Sequence, residues 1–434
     1  MTPYLDFVYF LILLYPLIPT IILGLFGRLG RRFVIGVTIL VVLFQVANPL
    51  GDSDLAATSQ RQLVFLVSYA AGSVVLILAF AGIRRRGKNQ SIFYLVLGLA
   101  VAPLVVIKLL PVAQAGHWFG LTATKVAATA TAAGAATIAA GASASTAPTI
   151  SVNLIDAFGF IGVSYVTFRA VDAIIVIHDG LPKEPPTVGN LLGYLLFFPT
   201  ISAGPIDRYL RFTSNLRALP RSRGEYVLDI EVGIARVFQG FLYKFIVAYL
   251  INQYALVPSS TMPGLLGTAA YAYAYIFYLF FDFAGYSAFA IGIGRFFGIH
   301  VPENFDAPFL SRNFREMWNR WHISLSTLLR DHIYMRFLLT ATRKKWLGGN
   351  RNTINYVGLT LTMVTMGLWH GVAAHFIVYG FYQAAMLVTY DIVGRWNRAH
   401  RFISHGWVSD VAGVVLTFNL FTFGVLIFSG HLFP

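Results

Sequence analysis

Cysteine is absent from this 434-residue chain. Disulfides, thiolate metal sites and a cysteine nucleophile are therefore excluded, and any thioester chemistry must borrow its sulfur from a donor. Charge is also scarce: Asp, Glu, Lys and Arg make up 12% of residues, against about 25% in a soluble domain. With 57% hydrophobic residues and a mean hydropathy of +0.68, the chain belongs in lipid. Acids are the rarer sign, 18 against 32 Lys and Arg, which leaves a net charge of +14. In a membrane protein such an excess collects in cytoplasmic loops and sets orientation. No basic stripe is interleaved with stacking aromatics on a soluble module, so nucleic acid is not an expected partner; the expected one is the lipid bilayer.

What is present is a series of apolar runs separated by short polar breaks. Tyr4–Phe26 has the length of a span and lacks a basic n-region and a small-residue cleavage site, so it reads as a retained helix rather than a signal peptide. Phe33–Val46, Leu63–Ile83, Ile92–Val112, Ile155–Ile177 and Leu191–Ile201 follow. Tyr226–Ala255, Leu265–Phe297, Val357–Leu368, Val372–Val393 and Val408–Phe428 complete the series. The fold class expected is an all-α polytopic membrane protein, one domain over residues 1–434. It would have about ten to twelve transmembrane helices plus interfacial or re-entrant pieces, since several runs are short for a span.

Arg28, Arg31 and Arg32 follow the first run, Asp52 and Asp54 the second, and Arg84, Arg85, Arg86 and Lys88 the third. Basic residues mark the inside, so the N-terminus and the region after Val112 are expected outside and His178–Glu184 inside, in a cell membrane. The Ala/Thr/Gly/Ser tract at about 113–150 lacks large side chains to bury and reads as an idle flexible loop or an outer spacer.

Asn304–Lys345 is too charged to cross a bilayer, yet Trp318, Trp321, Leu325 and Leu328 recur near helical spacing. Such a segment would lie at the interface or dip partway into the protein. It contains Trp318-Asn319-Arg320-Trp321-His322, and a second tryptophan–histidine pair occurs in Met366-Gly367-Leu368-Trp369-His370-Gly371. Ionisable residues near membrane depth are costly and usually carry a partner or a task. Imidazole suits a general base, because its ordinary pKa of about 6.5 lies near working pH. His370, before a glycine that admits a close neighbour, is the better base candidate. His322, beside Trp321 and three residues from Asn319, suits orientation or carbonyl polarisation. Asn319, Trp321 and Trp369 are candidates for lining a substrate tunnel. A histidine in an apolar segment serves equally as a hydrogen-bonded structural residue, and the residues alone leave both roles open.

His117, His178, His300, His332, His375, His400, His405 and His431 lie in loops or singly on helices. No histidine or carboxylate set of ligand spacing accompanies the pair, so no metal site is expected. Asp282 is the most apolar-flanked carboxylate and is expected to pair with an arginine or to line the acceptor path.

Pro302–Asn313, Trp318–His322, Ser324–Ser326, Arg330–Arg336 and Gly367–Gly371 resemble the membrane-bound O-acyltransferase family. Phe197–Arg208 and Ile161–Arg169 are similar to its D-alanyl-transferring branch. The resemblance implies packed membrane helices around a central funnel that opens outward, with His370 catalytic and His322 its partner. It implies no bound cofactor of the protein's own. D-alanine would arrive as a thioester on the phosphopantetheine arm of a small acidic carrier protein and leave for lipoteichoic acid or another hydroxyl acceptor. A second, membrane-anchored protein is an expected partner. Ile333, Met335, Arg336, Leu338 and Leu339, with Phe337 beside them, form an apolar and basic cluster near Arg330, Arg343, Lys344 and Lys345. That cluster is the candidate carrier-binding surface, and resting on the membrane is its plainer use. An alginate-type O-acetyltransferase is the alternative within the enzyme class. A transporter is the alternative outside it, although neither histidine motif has a second copy.

Overall fold

Hydrocarbon offers the backbone no hydrogen bonds, so apolar runs of this length must satisfy their own as helices. In the computed structural model, which describes residues 7–47, 53–114, 162–401 and 406–433, no named β-strand occurs among those residues. The Ala/Thr tract, His117 and His405 lie outside them, except for the tract's first residues at the end of a helix.

Four helices open the chain: α1 (Phe7–Leu25), α2 (Arg31–Ala47), α3 (Ser53–Arg86) and α4 (Gln90–Gln114). After the undescribed stretch come α5 (Val163–Asp179), α6 (Val188–Leu196) and α7 (Tyr209–Arg217). α8 (Arg223–Ser260) runs through two π-helical stretches, Leu242–Ala248 and Asn252–Leu256, and turns back into α9 (Gly264–Phe296). Short helices α10 (Phe314–Arg320), α11 (Ile323–Leu329) and α12 (Met335–Arg343) follow, the last two joined by a π-helical turn, Arg330–Tyr334. α13 (Arg351–His370), α14 (Ala374–His400) and α15 (Trp407–Phe428) close the fold. Among the described residues six helices are long and apolar enough to cross a bilayer, and Tyr15–Leu25 and Val188–Thr200 are shorter apolar pieces. The chain is thus an all-α, multi-pass membrane protein. The expected interfacial segment Asn304–Lys345 is built as three short helices around an elbow.

Local chemistry sets the helix ends. Ser222 and Glu225 form a reciprocal capping box at the start of α8. Asn350 accepts the backbone N–H groups of Asn352 and Thr353 and starts α13. The α8–α9 hairpin packs backbone to backbone: a Cβ on Gly292 would lie 2.8 Å from the Gly233 carbonyl oxygen, and one on Gly285 would lie 2.8 Å from the Lys244 nitrogen. Small residues allow this approach where lipid supplies no hydrophobic drive between helices. Asp282 on α9 pairs with Lys244, not with an arginine.

The described part of the Ile161–Arg169 motif, residues 162–169, meets Phe197–Arg208 in one buried polar core. Arg169, fully buried, donates to the carbonyls of Tyr194 (3.1 Å), Leu195 (3.0 Å) and Thr200 (2.7 Å). One turn on, Asp172 accepts from Tyr194 Oη (3.1 Å), Tyr209 N (2.7 Å) and Arg208 Nε (3.0 Å). His332 Nε2 completes the set at 2.7 Å from the same carboxylate. A buried charge is tolerated only when matched in this way, and the match ties the π-turn before α12 to α5.

Candidate active site

His322 is placed by its neighbours rather than by a helix. An isolated antiparallel bridge joins Phe305 to Trp321. Asp306 N donates to the Arg320 carbonyl and Ile323 N to the Asn304 carbonyl, each at 3.0 Å. Asn304, fully buried, accepts from the Ser324 hydroxyl at 2.6 Å and donates to Ser287 at 3.1 Å. Clamped on both sides, His322 takes φ 47° and ψ 50°, a left-handed conformation that costs a non-glycine residue about 1–3 kcal/mol. Glu316 steadies the preceding helix through Arg320 at 2.8 Å and the Arg312 backbone N–H at 2.9 Å. Burial opposes ionisation of Glu316, but those donors outweigh it and hold the carboxyl below its ordinary range.

His370 is the last residue of α13. Gly371 continues in extended backbone (φ 176°), and a Cβ there would lie 2.5 Å from the Phe376 ring, so its smallness admits that ring rather than a strained turn. The His370 imidazole faces Phe428 edge-on at 4.8 Å and Phe376 at 6.0 Å. Trp369 stands between the two histidines, with ring centroids 4.5 Å from His370 and 6.3 Å from His322. His322 in turn packs edge-on against Phe283 at 4.7 Å. Two buried nitrogens here, His322 Nε2 and Trp369 Nε1, have no hydrogen-bond partner among the described residues. Such orphans are uncommon in a finished core and suit a site that receives a polar ligand.

The structure therefore brings together residues 48 positions apart in sequence (370 − 322) into one aromatic cluster. Trp369 belongs to it. Trp321 instead packs in the core, against Phe305 at 5.1 Å and Phe421 at 5.3 Å, and Asn319 is exposed on α10. Among the described residues no group of three or more His, Asp or Glu could hold a metal.

Beyond this cluster, α11, the π-turn and α12 form a continuous rod from His322 to a basic surface. Ile333 faces inward against the core around Trp321, and Leu338 is half-buried. Met335 and Leu339 are exposed, four residues apart and so on one face of α12. Trp346 and Leu347 are exposed beyond them, with Arg343, Lys344 and Lys345 alongside. Arg336 is paired with Asp179 at the end of α5, and Arg84 Nε donates to the neighbouring His178 carbonyl at 2.8 Å. These contacts place α12 on the same face as Arg84–Arg86.

Two contacts have no local sequence signature of the partner. His332 stands alone in its segment because its partner, Asp172, is 160 positions away. Lys108, in the apolar run Ile92–Val112, donates to the Trp369 carbonyl. A lone lysine inside a span was the available signal.

Two histidines thus flank one tryptophan inside a bundle of membrane helices. The profile of MBOAT, the membrane-bound O-acyltransferase family, matches residues 179–433, and the chain belongs to that family. It is an O-acyltransferase, which sets aside the transporter alternative. Among its relatives, the teichoic acid D-alanyltransferase of Bacillus subtilis (strain 168) is 35% identical over all of this chain and 99% of its own length. That of Streptococcus thermophilus is 33% identical over 99% of this chain and 95% of its own. A probable alginate O-acetylase of Pseudomonas syringae pv. tomato is 34% identical, but over 62% of this chain and 48% of its own.

Proposed function

We propose that this enzyme passes D-alanine from the phosphopantetheine thioester of an acidic carrier protein, docked on α12, to a hydroxyl acceptor on the opposite membrane face. Lipoteichoic acid is the acceptor class, and a membrane-anchored partner acts with it there. The observation that carries the reading is the His322–Trp369–His370 arrangement at the far end of a rod from the basic surface. In the reaction His370 takes the acceptor hydroxyl proton as that oxygen attacks the thioester carbonyl carbon. The C–S bond breaks, the ester stays on the acceptor, and the departing sulfur takes the proton back. His322, as its Nε2–H tautomer, donates to the carbonyl oxygen while charge develops there. Full-length likeness to the D-alanyltransferases, against partial likeness to the alginate acetylases, favours D-alanyl over acetyl as the group transferred. Purified enzyme given D-alanyl-loaded carrier and an acetyl donor side by side should consume only the first. Consumption of the acetyl donor alone would replace this reading with the alginate-type one.

Carrier docking rests on the exposed pair Met335 and Leu339 and the basic rim. Leu339→Asp should weaken carrier binding about thirtyfold or more at any salt concentration, the loss of an anchor worth about 2 kcal/mol. Lys344→Glu should slow association mainly at low salt, because rim charges steer encounter and are screened. Titration of labelled carrier onto the purified variants checks both, and normal affinity in Leu339→Asp would return this helix to the role of a membrane rest.

The basic surface faces the cytoplasm and the N-terminus lies outside, on the charge alternation of the first three loops. With no native cysteine, Ser143→Cys should react with an impermeant thiol reagent in intact cells. Reaction only after the cells are opened would invert the topology.

A further inference from the structure

Lys108 is a cation that the reaction above does not use. It lies on α4, a candidate span, and its ammonium sits 6.0 Å from the centre of the Trp369 ring while donating to the Trp369 carbonyl. Among the described residues no carboxylate lies within ion-pairing distance of it. Its acceptor there is a neutral carbonyl. Among the described residues Asp172 is matched by Arg208 and His332 and Lys244 by Asp282, while the fully buried Arg169 has three carbonyls to share its charge where Lys108 has one. A partly desolvated ammonium without a counter-charge is costly, and the cost is recovered when an anion arrives.

Its depth indicates which substrate supplies that anion. Counting from Gln90, beside the Arg84–Lys88 face, Lys108 lies about 27 Å along α4. His370 lies a similar distance along α13 from Arg351, about 28 Å. Both therefore stand at the end of the molecule remote from the proposed carrier surface, where the acceptor enters. The donor is a poor candidate for this cation: the phosphodiester of its phosphopantetheine arm sits at the carrier end, away from the thioester, and the D-alanyl group itself brings an ammonium. Two further polar atoms nearby, Trp369 Nε1 and His322 Nε2, are buried without a hydrogen-bond partner among the described residues.

We propose that Lys108 is the residue that selects an anionic acceptor, binding a phosphate of a phosphate-bearing polyol beside the hydroxyl that His370 deprotonates. This rests on the D-alanyl-transfer reading for its substrate but not for its binding test. The plainer role of Lys108 is to hold the C-terminal turn of α13, where a cation also meets the helix dipole favourably. The two roles differ in what substitution does to specificity.

Kinetics of Lys108→Met and Lys108→Arg should be followed with D-alanyl carrier and either a glycerol-phosphate oligomer or uncharged glycerol as acceptor. Lys108→Met should raise KM for the oligomer, lowering its kcat/KM relative to that for glycerol by about tenfold or more, as loss of a charge-assisted hydrogen bond does. Lys108→Arg should restore most of the preference. Equal proportional losses on both acceptors would overturn the proposal and leave Lys108 as a helix clamp. A donor-free arm measures thermal stabilisation by glycerol phosphate, expected for the native protein and lost in Lys108→Met. Stabilisation without any D-alanyl transfer would remove the donor reading and keep this one. No stabilisation of the native protein would remove this one.

Discussion

His370→Ala is expected to lower D-alanyl transfer by about 10²–10⁴-fold, the usual contribution of a positioned general base. The imidazole is held from three sides by Trp369, Phe376 and Phe428, so its removal leaves those rings in place around a small void. The variant should remain folded, and carrier binding on α12 should be unaffected because that surface is a rod's length away. Initial rates on purified protein, read beside carrier affinity, check this. Near-normal turnover in a folded His370→Ala protein would remove the base from the mechanism.

His322 is expected to respond to substitution in an unusual order. His322→Ala and His322→Gly both lose the imidazole, and both should impair transfer severely because no other group reaches the carbonyl oxygen in this reading. Their stabilities should differ in the opposite sense to a normal helix or core position. At φ 47° glycine is unstrained while alanine keeps a Cβ, so His322→Gly should be the more stable by about 1 kcal/mol. Thermal unfolding in the same detergent gives that comparison. If alanine proved the more stable, the left-handed elbow held by Asn304 and Phe305 would be wrong, and retained transfer in either variant would take His322 out of the reaction.

That elbow marks the limit of what the residues alone could tell. Periodicity and hydropathy were enough for helices, because a backbone in lipid has few alternatives. The two Trp-His pairs stand out in the sequence because each sits in a short motif within an otherwise apolar or interfacial stretch. Their meeting across Trp369 does not, being a product of how α13 packs near the Phe305–Trp321 bridge. Helical spacing in Asn304–Lys345 suggested one amphipathic helix, yet the bridge breaks it at His322, and Trp321 turns into the core while Asn319 stays exposed. Ile333 looked available to a partner on composition, but the π-turn rotates it inward. Asp172 with His332, and Lys108 with Trp369, are long-range pairs that no local pattern encodes.

In the proposed reaction D-alanine crosses from the basic face to the opposite one past His322, Trp369 and His370. Inside-out vesicles from cells that carry the protein expose the basic face and enclose the acceptor. Supplied externally with D-alanyl-loaded carrier, they should accumulate D-alanyl ester on enclosed acceptor, detected by mass spectrometry after the outer surface is stripped, and His370→Ala vesicles should not. D-alanine recovered only on the outer surface, or equal accumulation with His370→Ala, would contradict it.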